Sequence, residues 1–134
     1  MKIWTTLAAV MMLSACATTR GGTQVSAPLD EEFRLRAGQT ARVGDAGLRV
    51  GFVRVTEDQR CPINARCVRA GFARVAVQLS APRTAARRAI LTTPDQPQGA
   101  TYGAYEIEVL DVQPGREIGK PVPRYEAVLR VRRR

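Results

Sequence analysis

An apolar pattern of period two constrains this chain more than any other feature. Phe33 and Leu35 alternate with Arg34 and Arg36, and Val75, Val77 and Leu79 alternate with Arg74, Ala76 and Gln78. Tyr105, Ile107 and Val109 flank Glu106 and Glu108, while Tyr125, Ala127, Leu129 and Val131 leave Glu126, Arg130 and Arg132 on the opposite face. Successive strand side chains point to opposite faces, so each run reads as a half-buried β-strand. Leu48 to Thr56 and Arg88 to Thr92 add two strands, and Thr40 to Val43 a weaker one. Turn formers such as Gly44-Asp45-Ala46-Gly47, Thr93-Pro94-Asp95 and Gln113-Pro114-Gly115 separate them. No segment beyond the first sixteen residues sustains a 3.6-residue period. About seven short strands over residues 30–134 predict an all-β domain, an antiparallel Ig-like β-sandwich or a small barrel.

Two strands break their rhythm. Leu48, Val50 and Phe52 share one face while Val53 and Val55 take the other, and Val109 is followed by Leu110 and Val112. A β-bulge in each would return the later apolar residues to the core face, whereas a strand buried on both sides would leave them where they are. If the Tyr105 and Tyr125 strands are antiparallel neighbours, Glu106 and Glu108 face Arg130 and Arg132, which helps register more than stability.

The N-terminus reads as an address. Lys2, the apolar run Ile3 to Leu13, and Leu13-Ser14-Ala15-Cys16 form a secretory signal peptide over residues 1–15. The apolar run is too short to cross a bilayer as a helix, which takes roughly 20 residues. Leu-Ser-Ala-Cys resembles the lipobox of bacterial lipoproteins, which implies a lipid on Cys16 and cleavage just before it. The competing reading is an ordinary signal peptide with Cys16 an incidental thiol. In the lipoprotein reading Ala17, where Asp would favour inner-membrane retention, points to the outer membrane facing the periplasm. Residues 16–29 (CATTRGGTQVSAPL) read as a lipidated N-terminus and flexible tether, with the folded domain at 30–134.

Lipidation of Cys16 leaves Cys61 and Cys67 as a pair, expected to be oxidised outside the cytosol. The spacing does not match the redox Cys-x-x-Cys motif, and two thiolates without further ligands make a poor zinc site. A structural disulfide closing a seven-residue ring is expected, with no metal and no cofactor.

Around this ring, Glu57-Asp58-Gln59-Arg60-Cys61-Pro62, Cys67 and Ala70-Gly71 follow Phe33-x-Leu35, Gly38-Gln39 and Leu48-x-Val50-x-Phe52. The segment resembles a group of small bacterial secreted proteins and lipoproteins with a Glu-Asp-Ser-Arg-Cys-Pro…Cys-x-Trp-Ala-Gly core, for which no activity is established. The resemblance implies a β-rich fold and a disulfide, and no mechanism. Gln59 stands where Ser is usual and Arg69 where Trp is usual.

Asp58 is a good Asx-turn former before the staple, and Arg60 can pair with it or with Glu57; Glu57, Asp58, Pro62 and Gly71 are therefore read as loop architecture. The alternative is that Glu57 and Asp58, with Asp111, bind a cation or act as an acid/base pair, but neighbouring strand residues point to opposite faces. The sequence has no His, which removes Ser-His and Cys-His catalytic pairs and His metal ligands, and no catalytic residue is assigned. The net charge of +9 is almost wholly arginine. Arg60, Arg66, Arg69 and Arg74 cluster about the ring and are the candidate binding residues, since guanidinium suits phosphate and carboxylate. Arginine filling solvated strand faces is the plainer account. The expected protein is a non-enzymatic binding or structural module of the envelope. Its partners would be the membrane through its lipid and an anionic envelope polymer, or, alternatively, an envelope protein that meets the ring as an inhibitor or accessory loop. Nucleic acid is not expected, for want of a stacking platform, and a carboxylate hydrolase is the third reading.

Overall fold

The computed structural model describes residues 23–94 and 99–134. The described residues form nine strands: β1 (Gln24–Ala27), β2 (Glu32–Arg36), β3 (Thr40–Val43), β4 (Leu48–Asp58), β5 (Ala73–Ala81), β6 (Thr84–Thr92), β7 (Ala100–Tyr102), β8 (Tyr105–Gln113) and β9 (Glu126–Arg133). They make two sheets, β1-β3-β4-β5-β6 and β2-β9-β8-β7. The sheets do not close into a barrel, so the architecture is a β-sandwich. Leu35, Val50, Phe52, Val77, Leu79, Ile107, Leu129 and Val131 interdigitate between them, each at most 2% exposed. At one corner the edges are stitched by side chains: the Tyr102 hydroxyl donates to the Ala85 carbonyl at 2.8 Å, and Arg87 donates to the Thr101 carbonyl.

Three features depart from the sequence reading. The described residues hold nine strands rather than about seven, because the short β1 and β7 carry too few residues to show a period. β1 lies in the segment read as tether, where it pairs in parallel with β3 and buries Ala27, so the sheet is mixed and the ordered domain starts before residue 30. β6 begins at Thr84 rather than Arg88, since its first residues are exposed on both faces and leave no alternation.

The expected bulges are present, and they set up the site. In β4, shifts of register fall between Phe52 and Arg54 and between Val55 and Glu57. The first turns Val55 inward opposite buried Val75; the second sets Glu57 against exposed Arg74 and Asp58 against buried Ala73. In β8, a shift between Val109 and Asp111 returns Val112 to the core opposite Ala127. The expected cross-strand charges also meet, with Glu108 accepting from Arg130 and Arg132 at 2.7 and 2.8 Å.

Candidate functional site

Strand directions gather three connections at one end of the sandwich: the β2–β3 turn, the β4–β5 connection carrying the cysteines, and the β8–β9 connection. Thr23, the first described residue, enters on the flank of the same end, its carbonyl accepting from the Thr40 amide at 3.2 Å.

The β4–β5 connection is built by short-range constraints. Cys61 and Cys67 are disulfide-bonded, with Cα atoms 5.9 Å apart. Its mouth is zipped by the Gln59 amide donating to Phe72 at 2.8 Å and the Cys61 amide donating to Ala70 at 2.6 Å. Gly71 has φ +74°, and a Cβ there would overlap the Gln59 carbonyl oxygen, so both its backbone angle and its surroundings require glycine. Pro62 is buried.

Beneath the ring lies a partly buried polar hub. The Arg60 guanidinium grips Asp58 with two bonds of 2.8 Å, its backbone amide donates to the same carboxylate at 3.3 Å, and the Tyr125 hydroxyl donates to it at 3.0 Å. Arg60 also donates to the Val112 carbonyl, and Arg116 donates to the Asp58 carbonyl at 2.8 Å. The Arg60 and Asp58 side chains are only 13% and 10% exposed. Burial pushes the Asp58 carboxyl upward, but the bonds and charge of Arg60 with the Tyr125 hydroxyl outweigh it and hold it below the usual aspartate value. The bonds to Asp58 raise the Arg60 guanidinium further, while burial and the Asp58 carboxylate raise the Tyr125 phenol. Two more bonds tie the ring to the β8–β9 connection: Ile63 amide to Arg116 carbonyl at 2.8 Å, and Ile118 amide to Asn64 Oδ1 at 3.0 Å.

The four candidate binding arginines are split by this architecture. Arg60 is consumed by the hub, and Arg74 pairs with Glu57 at 3.1 Å and lies over the Phe72 ring. Arg66 on the ring and Arg69 just past it are exposed, with no carboxylate within ion-pair distance among the described residues. Cys16 lies outside the described residues. Glu57 and Asp58 diverge to opposite faces, and among the described residues no three His, Cys, Asp or Glu side chains gather to hold a metal ion.

Sequence reasoning missed Tyr125 and Arg116 in the hub, and it missed Arg54 and Arg124. Both of these are exposed, and they line a cleft with Thr23, Arg36, Pro123 and Tyr125. Tyr125 was legible in part: a tyrosine on the inward face of a strand needs a partner for its hydroxyl. Its partner lies 67 residues away, which no local pattern reveals. Compared with family models, curated proteins and solved structures, the chain finds no match.

Proposed function

We propose that this chain is a lipid-anchored, non-enzymatic binding module of the bacterial envelope, held by Cys16 in the outer membrane facing the periplasm, whose stapled end engages anionic ligand. The observation that carries the reading is the charge at that end: Arg54, Arg66, Arg69 and Arg124 are all exposed, and among the described residues none has a carboxylate within ion-pair distance. Guanidinium forks left in water are suited to phosphate and carboxylate ligands. A binding role also agrees with Asp58, whose carboxylate is fully occupied by Arg60 and Tyr125 and so is not free for acid/base work. The likeness of the ring segment to small secreted lipoproteins supports the envelope setting.

The test is retention on immobilised dextran sulfate against neutral dextran across a salt series. Arg66→Ala with Arg69→Ala should weaken retention and flatten its salt dependence at an unchanged melting temperature; unchanged retention removes the reading. A second reading, a loop presented to an envelope protein, draws on Val68 and Ile63, which are 103% and 67% exposed on the stapled β4–β5 connection. It predicts a stoichiometric protein partner cross-linked through position 68.

A further inference from the structure

Among the described residues, four large aliphatic side chains are exposed: Ile63, Val68, Ile90 and Ile118. Three of them sit at the stapled end: Ile63 on the disulfide ring, Val68 one residue past it, and Ile118 on the β8–β9 connection that is hydrogen-bonded to the ring. The ring's Ile63 lines a shallow groove with Pro114, Gly115, Val122 and Pro123, and Pro123 also borders the cleft of Arg54 and Arg124. The groove at Ile63, which also carries Glu117 and Lys120, thus adjoins the cleft of Arg54 and Arg124 at Pro123, and Val68 and Ile118 are exposed at the same end. Both ends mix arginine with carboxylates, exposed Asp30, Glu31 and Asp45 at the opposite end and Asp111 at the stapled end, but among the described residues the opposite end has no exposed large aliphatic side chain. A basic surface with protruding aliphatics is the composition of an interfacial membrane contact, in which apolar tips enter the headgroup layer and cations meet lipid phosphates.

The chain's own connectivity chooses the occupant. Thr23, the first described residue, lines the Arg54 and Arg124 cleft, and β1 runs away from it. Six residues lie between Cys16 and Thr23, and seven steps along the chain at about 3.3–3.6 Å each span at most about 25 Å. A lipid on Cys16 would therefore hold this cleft within about 25 Å of the bilayer, where a weak surface contact becomes an intramolecular one. We propose that the stapled end rests on the anionic phospholipid surface of the membrane that carries the anchor, with Ile63, Val68 and Ile118 entering the headgroup layer and Arg54 and Arg124 meeting its phosphates. The proposal rests on the lipid-anchor reading, and it makes the ring a foot of the domain.

Cleavage before Cys16 removes the only tryptophan, Trp4, so single probes report without background. The full lipidated chain carrying Val68→Trp, Ile90→Trp or Ala46→Trp would be reconstituted in vesicles of phosphatidylethanolamine and phosphatidylglycerol with brominated acyl chains. Tryptophan at 68 should be quenched severalfold more than at 46 or 90, and Arg54→Ala with Arg124→Ala should bring it down toward them. Equal quenching at all three positions, or stronger quenching at 90, overturns the proposal, as does shielding of position 68 by a co-purifying envelope protein. Intact mass separates the two possible failures. Absent acyl chains refute the anchor, in which case the unlipidated chain is assayed on the same vesicles at low salt; acyl chains with equal quenching refute the foot alone.

Discussion

Asp58 shows how one side chain can tie a loop to a fold. The second bulge of β4 turns it inward, where Arg60 from the loop and Tyr125 ahead of β9 both donate to it. Removing one member of a pair this buried strands the other, so Asp58→Ala should lower stability by about 3 kcal/mol in denaturant titration. The pH dependence follows from the lowered carboxyl. A depressed folded value means that ionised Asp58 contributes its full stability above the ordinary aspartate range and loses it as pH falls through the folded value. The stability gap between wild type and Asp58→Asn should therefore narrow below about pH 4, the model-peptide range; a constant gap down to strongly acidic pH contradicts the assignment. Tyr125 acts at the other limit. Its raised phenol favours the folded state up to the ordinary tyrosine value, and that contribution fades as pH rises through the folded value.

The elements show why some of this was legible and some was not. Alternation located β2, β5, β8 and β9, β4 was read as a further strand and β3 as a weaker one, and the broken rhythm at Phe52–Val53 and Val109–Leu110 marked bulges now seen as register shifts. Edge strand β6 hid its first half because Thr84 to Arg88 are all exposed, and β1 hid in a Gly/Ser/Thr/Pro-rich stretch because only four residues pair. The ring was legible as a staple but its docking onto the β8–β9 connection was not, since the bonds from Ile63 and Ile118 span more than 50 residues. Two substitutions test the ring as an element. Gly71→Ala should cost more than the roughly 1–2 kcal/mol of a left-handed backbone alone, because the methyl meets the Gln59 carbonyl. Gly38→Ala, with φ +91° and open space around it, should cost only the backbone part. Replacing both Cys61 and Cys67 by Ser should lose about 2 kcal/mol, the chain-entropy value for so short a ring, and leave the circular dichroism of the sandwich intact.

At the scale of the whole molecule, the sandwich keeps its two ends distinct. One end carries short turns and mixed charge, while the other gathers the stapled ring, the hub beneath it, exposed arginine and three protruding aliphatics. The account joins that second end to an envelope membrane through Cys16, so the state of the three cysteines carries the most weight. Intact mass of protein extracted from membranes, with alkylation before and after reduction, reads all three at once. The account predicts acyl chains on Cys16 at the start of the chain and two thiols that alkylate only after reduction. An unlipidated chain with Cys61 and Cys67 already reactive would contradict it.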